Sequence, residues 1–376
     1  MNILLVSEDF MLNGVTRHIV DLANGMVEKG HKIFVAAAPS NQTTRLNSQV
    51  AFIPLSLCYS HTDRKKLAGI AQSLKILLKI IRSYNIAIIH THKRYADTIG
   101  RIVARLSGIP HISTCHNEFT RFRLLSTFGD VIIAPSQNIA YMLIHVFGFE
   151  KERIKIVHHG IQPLTVFSDR ARHQLRKTLG IADVIKVILS VGHLNRQKDR
   201  STLIEAIHIL KEMKRFEKTV CLIVGEGKEY IQVQKMIKTY GLESYVKLLP
   251  ATSDIEGLNN IAEFCVLSSR YEAGPYVVLE AASVKKPSIG TSVGFIPSFM
   301  GNNEAGMHVA PESPYLLAEA IYSFLSDSQR TAKLGEMAYE QFVENYSFEY
   351  FIKSTENIYK EILAQKDTVF LVRLKR

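Results

Sequence analysis

The chain has 376 residues, of which 47% are hydrophobic and 22% charged. This length exceeds what one hydrophobic core needs and suits two domains, and the composition is that of a globular protein rather than a disordered one. The four cysteines show no paired spacing: Cys58, Cys115, Cys221 and Cys265. That pattern argues against a disulfide framework or a cysteine zinc site and favours a reducing cytosol.

The amino-terminal run Met1–Val6 is apolar but short, and it turns acidic at Glu8 and Asp9. It has neither the length nor the basic leader of a secretion signal. No stretch approaches the roughly 18 uncharged apolar residues of a membrane span. We therefore expect a cytoplasmic protein.

The formal charge of +11 is concentrated in the first half of the chain. Residues 1–165 hold 19 Lys and Arg against 10 Asp and Glu, and within 45–123 the numbers are 13 and 3. This asymmetry suggests an anionic partner for residues 45–123, such as phospholipid, phosphorylated glycan or nucleic acid. Charge that serves only solubility is the alternative.

Short β-branched runs alternate with amphipathic stretches along the whole chain, which predicts parallel, doubly wound sheets. In the first half the predicted strands are 3–6, 32–37, 50–53, 86–90, 111–115, 131–134 and 154–158. The predicted helices are 14–29, 66–82, 94–107 and 136–147. Residues 160–168, which include Pro163, break the pattern and form the predicted linker.

The second half repeats the alternation and ends in a helix. Its predicted strands are 186–191, 219–224, 245–248, 264–268 and 287–291; its predicted helices are 200–213, 228–240, 276–285, 314–325, 328–343 and 348–364. Ser347 suits the N-cap of the last helix. Ligands of such sheets bind beyond the carboxyl ends of the strands, here in a cleft that two domains in series would leave.

The most specific motif runs from Glu272 to Glu280, between a predicted strand and a predicted helix. Pro275 fits the first helical turn, Gly274 permits close approach of a ligand to the backbone, and free amides at a helix start bind anionic diphosphate. Two carboxylates placed on either side of a diphosphate can accept hydrogen bonds from sugar hydroxyls. A chance pair of glutamates is the alternative.

A second motif, from Val191 to Asp199, follows the first strand of the second half. Arg196 and Lys198 place cations where a diphosphate would need neutralising, unless the segment is an ordinary solvated turn.

In the first half, Gly14 stands at a strand-to-helix turn and His116 follows a predicted strand. Either position fits a ligand contact or an ordinary structural role.

Taken together, these motifs resemble glycosyltransferase family 4, the retaining enzymes of GT-B architecture, over essentially the whole chain. Glu272–Glu280 resembles the family's E-x7-E motif, and 191–198 resembles its G-R-L-x-x-x-K loop. Further matching stretches, in chain order, are 132–136, 154–161, 223–227, 292–297 and 303–306. The resemblance implies an α/β fold of two Rossmann-like doubly wound domains facing a central cleft. The expected divisions are 1–165 on the acceptor side, 166–346 for the nucleotide sugar, and a returning helix with a tail at 347–376.

The resemblance also implies a role for each matching residue. Lys198 would bind the donor diphosphate, which the backbone at Gly14 would approach. Glu272 would hold the sugar hydroxyls with amides near Gly274 and Pro275. The remaining implied contacts are His116 with the transferred sugar, Glu280 with the ribose, and the backbone at Pro250 and Ala251 with the base.

Departures from the family pattern concern the fine specificity for the donor. The arginine that usually follows the glycine is His193, so the second cation would be weaker or come from Arg196. Thr16 stands where an acidic residue is usual, and His159 replaces an asparagine.

No D-x-D metal motif follows a strand, so we expect neither a metal nor another cofactor. Cations and helix amides would stabilise the leaving diphosphate. The resemblance implies a hexosyltransferase that retains configuration and uses a nucleotide sugar, UDP-linked by expectation. The acceptor would be a glycan or glycolipid, with lipopolysaccharide core or another bacterial surface polysaccharide as the pathway.

The basic half also contains an amphipathic helical pattern. Its apolar stripe is Leu67, Ile70, Ala71, Leu74, Leu77, Leu78 and Ile81, flanked by Arg64, Lys65, Lys66, Lys75, Lys79 and Arg82. The favoured interpretation is a surface helix packed on the first sheet. The alternative is peripheral docking on anionic lipid at the inner face of the plasma membrane, to which the basic carboxyl-terminal tail would add.

Three other functions compete with this assignment. Another GT-B enzyme, such as an epimerase or sugar phosphorylase, would rearrange the donor or use phosphate instead of glycosylating an acceptor. A nucleic-acid-binding protein is disfavoured because the chain has no Trp, no recognised motif and no aromatic residues interleaved with its charge. A dinucleotide oxidoreductase lacks G-x-G-x-x-G after either first strand.

Overall fold

A computed structural model describes residues 1–11, 13–55, 63–119, 128–252, 254–272, 274, 276–302 and 304–374 and, of residues 63–69 and 366–374, the backbone alone. Residues 1–159 with 348–376 form one compact unit, and residues 160–347 form the other. The sequence had suggested divisions after residues 165 and 346.

The first unit is a seven-stranded parallel sheet with helices on both faces. The strand order is β3-β2-β1-β4-β5-β6-β7. The strands are β1 (Asn2–Ser7), β2 (Lys32–Ala37), β3 (Ala51–Pro54), β4 (Ile88–His92), β5 (His111–Thr114), β6 (Val131–Ala134) and β7 (Ile154–Ile156). The helices are α1 (Gly14–Glu28), α2 (Asp63–Tyr84), α3 (Arg94–Ser107), α4 (Gln137–His145) and α13 (Phe348–Leu374).

The second unit has the same winding, with the strand order β10-β9-β8-β11-β12-β13. The strands are β8 (Lys186–Val191), β9 (Thr219–Val224), β10 (Val246–Leu249), β11 (Phe264–Leu267), β12 (Ser288–Thr291) and β13 (Gly306–Val309). The helices are α5 (Asp169–Thr178), α6 (Arg200–Glu212), α7 (Tyr230–Thr239), α8 (Ile255–Ile261), α9 (Tyr276–Ser283), α10 (Ile296–Met300), α11 (Pro314–Ser326) and α12 (Ser328–Asn345).

Alternation along the central strands builds a core on each face of each sheet. In β1, Ile3 and Leu5 pack with α1 and α13, whereas Leu4 and Val6 face the layer of α2 and α3. Successive side chains of a strand point to opposite faces, so a strand buried on both faces is a continuous apolar run. In β8, Ile188 and Leu189 divide between two cores in the same way. The predicted α/β class of two doubly wound parallel sheets is confirmed.

Polar side chains fix where several helices begin. Asn13 Oδ1 accepts the Thr16 amide at 2.9 Å at the start of α1, and Ser136 and Ser168 cap α4 and α5 in the same way. A cap satisfies amides that the first helical turn leaves unpaired. Because Ser168 caps α5, the predicted linker 160–168 ends where this helix begins.

The apolar stripe of α2 packs on the first sheet. Leu77, Ile80 and Ile81 are buried in the core beneath it, with Ile70 and Leu74 partly buried against that core. Lys75, Lys79 and Arg82 are exposed, and the side chains of residues 64–67 lie outside the described residues. The favoured interpretation of this helix therefore agrees with its packing. No helix in the described part of the chain is both long and apolar enough to cross a bilayer.

Four elements were not predicted from the sequence. They are α5, α8, α10 and β13. None of the residues of α5 is buried, so this helix lacks the apolar periodicity on which the prediction depends. α8 and α10 span only 7 and 5 residues, too few to show a helical period, and β13 is a four-residue edge strand in which three residues are half-buried.

Candidate functional site

Lys198 and Glu272 meet at the carboxyl edge of the second sheet. The distance from Lys198 Nζ to Glu272 Oε1 is 2.6 Å, and the side chains are 19% and 4% exposed, respectively. Ser269 Oγ donates a second hydrogen bond to the same oxygen at 2.6 Å. The strand order runs outward in opposite directions from the neighbouring strands β8 and β11. Lys198 and Glu272 follow these two strands and therefore lie at the topological switch point, where open α/β sheets bind ligands.

The loop that carries Lys198 is folded tightly against its neighbours. The Gly192 amide donates to Val224 O at 3.0 Å and the Leu194 amide to Glu226 O at 2.8 Å, while Asn195 Oδ1 accepts the Lys198 amide at 3.1 Å. At Gly225, where φ is +152°, a Cβ would lie 2.1 Å from Gly192 O. Gly225 therefore lets the loop after β9 approach the loop after β8, which carries Lys198.

Asp199 ends the loop and begins α6. Its carboxylate accepts the Thr202 hydroxyl at 2.9 Å and the Arg270 Nε–H at 3.1 Å. Ser268 Oγ donates to the carbonyl of Lys198 at 3.1 Å and that of Asp199 at 2.7 Å. These contacts join the loop after β8 to the loop after β11. The backbones of Lys198 and Glu272 are therefore fixed relative to each other.

Glu272 is positioned from its other side by Gly294. The Phe295 amide donates to Glu272 O at 3.4 Å. Gly294 has a φ of +52°, and a Cβ there would lie 1.5 Å from the same oxygen. No larger residue fits without moving the Glu272 backbone. The 292–297 stretch that matches the family thus supports the glutamate directly.

Arg200 is a functional candidate that the sequence did not reveal. Its side chain is fully buried at the start of α6, Nη1 lies 3.4 Å from Lys198 O, and Nε and Nη2 have no partner among the described residues. Burial lowers the pKa of Arg200 to about 10, against the attraction of Glu272, Cys221 and Asp199. A cation therefore lies buried behind the Lys198–Glu272 pair.

The other residues predicted in the second unit occupy varied positions. Glu280 is buried on α9, and Gly274 is half-buried before that helix. His193 and Arg196 are exposed on the Lys198 loop, and the exposed residues Pro250 and Ala251 follow β10. Pro275 lies outside the described residues. The structure thus brings Lys198 and Glu272, of the residues predicted here, into direct contact.

In the first unit, four histidines converge from four segments. His18 lies on α1, His92 ends β4, His116 follows β5 and His159 follows β7. Ring centroids are 4.8 Å apart for His18 and His116, and 5.0 Å for His18 and His159. Nδ1 of His92 lies 3.1 Å from Nε2 of His116, and the Nδ1 atoms of His18 and His159 are 3.0 Å apart. We call these four residues the histidine cluster. The predicted residue His116 belongs to the histidine cluster. The predicted residue Gly14 is the first residue of α1, the helix that carries His18.

The histidine cluster is buried, and burial disfavours the charged form of its imidazoles. Burial first, and then the neighbouring histidines, hold the pKa values of His18, His92 and His116 well below the usual value, and burial lowers the pKa of His159 to about 4. No local sequence pattern indicates the cluster as a whole, because its members lie on separate segments.

Two parallel, doubly wound units in series are the architecture of the GT-B glycosyltransferases. Residues 12–163 match the family model described as Glycosyltransferase Family 4, and residues 171–341 match Glycosyl transferases group 1. The N-acetyl-alpha-D-glucosaminyl L-malate synthase of Bacillus anthracis is 22% identical, over 91% of this chain and 92% of its own.

Solved structures show the same fold. A glycosyltransferase from Rickettsia africae superposes with a TM-score of 0.83 at 20% identity, covering 96% of this chain and 98% of that one. Anabaena HepE in complex with UDP superposes with a TM-score of 0.82 at 19% identity, covering 96% and 100%. The chain belongs to the GT-B glycosyltransferases of family 4, as the sequence motifs had indicated.

Proposed function

We propose that this glycosyltransferase moves a hexose from a UDP-linked donor to a glycan or glycolipid acceptor, with retention of configuration and without a metal cofactor. The observation that carries the proposal is the 2.6 Å contact of Lys198 with Glu272 at the switch point of the second sheet. A cation and a carboxylate side by side suit the two chemically different parts of a nucleotide sugar, its diphosphate and its sugar hydroxyls. The UDP in the HepE structure supports the choice of nucleotide.

Lys198 would act on the leaving diphosphate. When the bond between the sugar and the phosphate oxygen breaks, negative charge grows on the diphosphate. A fixed ammonium next to it then stabilises the transition state more than the bound donor, which is what accelerates the reaction. Lys198 is suited to this because its loop is pinned by Asn195, Ser268 and Asp199. The buried charge of Arg200 adds to the positive potential.

Glu272 would orient the sugar. Lys198 and Ser269 both bind Oε1, so among the described contacts Oε2 is left to accept a sugar hydroxyl. The predicted roles of Glu280 with the ribose, of Gly274 and Pro275 through their backbone, and of Pro250 and Ala251 with the base complete the donor contacts. His193 or Arg196 would supply a further cation. Gly14 and His116, in the first unit, would approach the phosphate and the transferred sugar.

Retention would follow from attack on the same face that the diphosphate leaves, with the leaving phosphate taking the proton of the acceptor hydroxyl. We propose an acceptor in bacterial lipopolysaccharide core or another surface polysaccharide, used by a cytoplasmic enzyme at the inner face of the plasma membrane. The excess of basic residues in 45–123 supports an anionic acceptor or surface. A donor-only epimerase or a phosphorylase is the alternative.

The test is a panel of UDP-, GDP-, ADP- and dTDP-sugars, read first by thermal stabilisation and then by product analysis. A ligand present at 100 times its dissociation constant stabilises the native state by about 2.7 kcal/mol, so a UDP-sugar should raise the melting temperature most. Transfer to an acceptor with the anomeric configuration kept, undiminished by excess EDTA, is the expected outcome. Donor rearrangement without an acceptor, or activity that EDTA removes and Mg²⁺ or Mn²⁺ restores, would overturn the corresponding part of the proposal.

A further inference from the structure

Three members of the histidine cluster each have a buried ring nitrogen to which no described residue makes a hydrogen bond. His18 Nε2, His92 Nε2 and His116 Nδ1 have no hydrogen-bond partner among the described residues, and the three residues are only 3%, 0% and 7% exposed. A buried polar atom without a partner costs free energy that an apolar side chain of similar size would not cost. Filling a core therefore does not explain three imidazoles at this place.

The three side chains are also arranged as metal ligands are. One nitrogen from each of His18, His92 and His116 can be chosen so that all lie within 4.8 Å of one another. The facing nitrogens of His92 and His116 are 3.1 Å apart. Two nitrogens bound tetrahedrally to Zn²⁺, each at about 2.0–2.1 Å, are roughly 3.3–3.4 Å apart. The 3.1 Å contact joins Nδ1 of His92 to Nε2 of His116, whereas the nitrogens without partners on these rings are Nε2 of His92 and Nδ1 of His116. Metal binding therefore requires the rings to turn and to close the 4.8 Å spread of the three nitrogens.

Neighbouring histidines orient two of the three rings. His18 Nδ1 faces His159 Nδ1 at 3.0 Å, which leaves Nε2 as the nitrogen that His18 can offer. His90 stacks beside His92 with a centroid distance of 4.4 Å and is itself held by Tyr359 and Thr114. The contact of His18 Nδ1 with His159 is of the kind that fixes a ligand histidine through its second ring nitrogen.

We propose that His18, His92 and His116 form a binding site for a divalent transition-metal ion of the zinc class, and that this ion inhibits transfer. Imidazole nitrogens favour Zn²⁺, Cu²⁺ and Ni²⁺ over Mg²⁺ or Ca²⁺. Three protein ligands leave a fourth position for water. The inhibitory part rests on the proposed function, since it requires His116 to contact the transferred sugar; metal binding itself does not depend on it. The site is therefore distinct from a metal requirement for catalysis.

The experiment is a Co²⁺ titration of the full chain, purified without a polyhistidine tag and stripped with EDTA. The expected result is one equivalent bound, with the intense visible absorption of a four-coordinate site that Zn²⁺ then displaces. His18→Asn and His92→Asn should each weaken binding at least tenfold. His145→Asn, at an exposed position on α4, is the matched control and should bind as the wild type does.

Absence of that absorption in the wild type, or its persistence in both cluster variants, would overturn the proposal. If the variants do not fold, X-ray absorption at the zinc edge of the wild type decides instead. Three imidazole ligands are expected, and a spectrum with one or none contradicts the site. Zn²⁺ should also inhibit sugar transfer reversibly. Because the metal titration needs no sugar donor, a failed site and a failed assignment of the reaction give separate results.

Discussion

The ammonium of Lys198 lies 2.6 Å from a carboxylate oxygen of Glu272, although 74 positions separate the two residues in the chain. Each stands just beyond the carboxyl end of a strand, and the two strands are adjacent where the sheet changes its winding direction. The parallel topology thus produces the contact. Ser268, Asp199 and Gly294 then fix the backbone on which each side chain stands.

Gly294→Ala should disable the site through the backbone of Glu272. The added Cβ would lie 1.5 Å from Glu272 O at a φ of +52°, so the loop must shift, and donor-induced thermal stabilisation should disappear. Gly301→Ala separates the steric clash from the strain of a positive φ. Gly301 has a φ of +55°, but a Cβ there would meet nothing nearer than 3.8 Å. That control should show only the backbone strain of a sparsely populated conformation, about 1–3 kcal/mol, and keep donor binding. Equal donor binding by both variants would contradict the role of Gly294.

Arg200→Met should weaken donor binding about tenfold without lowering stability. The buried guanidinium has two nitrogens without partners in the described part of the chain, and replacing a poorly paired buried charge by an apolar residue is often neutral or stabilising. The variant, however, loses positive potential behind Lys198. Calorimetric titration with the donor and a thermal melt give the two values. A large loss of stability with unchanged affinity would show that Arg200 serves folding alone.

His111→Gln should flatten the acid side of the stability profile. Burial and the charge of Arg101 lower the pKa of His111 to about 3, whereas an unfolded chain has a value near 6.5. Between these values the unfolded state binds a proton that the folded state does not. This residue therefore makes the free energy of unfolding fall by about 1.4 kcal/mol per pH unit as the pH drops below 6.5.

Urea unfolding at pH 7.5, 6.5, 5.5 and 4.5 measures that slope. The variant should match the wild-type slope above pH 6.5 and lose about 1.4 kcal/mol less per unit below it. His145→Gln, at an exposed position, should follow the wild type throughout. Parallel profiles for wild type and His111→Gln below pH 6.5 would contradict the shifted pKa.

Reversing the exposed charges of α2 tests the contact with an anionic surface. Each Lys or Arg near such a surface contributes about 1 kcal/mol, screened by salt, so changing Lys75, Lys79 and Arg82 to Glu should abolish sedimentation with anionic vesicles at low salt. The control carries the same change at the exposed residues Lys235, Lys238 and Lys333 of the second unit and should still sediment. A wild type that fails to sediment would exclude the lipid interpretation.

The alternation of strands and helices was predictable from the sequence. Central strands buried on both faces are short continuous apolar runs, whereas amphipathic helices repeat their apolar residues about every 3.6 positions. It missed α5, whose residues are mostly polar or charged and none of them buried. It also missed β13, whose four residues at the sheet edge are mostly half-buried. Lys198 and Glu272 were predictable because each follows a strand in a family motif. Arg200 was not, because a charged residue at a helix start is normally exposed. The histidine cluster depends on distances among four segments, which no local pattern encodes.

The most direct test of the account is kcat/KM for sugar transfer by Lys198→Ala and Glu272→Ala. The loss of one such electrostatic contact typically costs about 100-fold or more, so each variant should fall at least that far while keeping its circular dichroism spectrum. Lys235→Ala and Glu243→Ala, at exposed positions of the second unit, should keep the wild-type value. Near-normal turnover by either site variant would contradict the assignment of that residue, and near-normal turnover by both would remove the Lys198–Glu272 pair from the reaction.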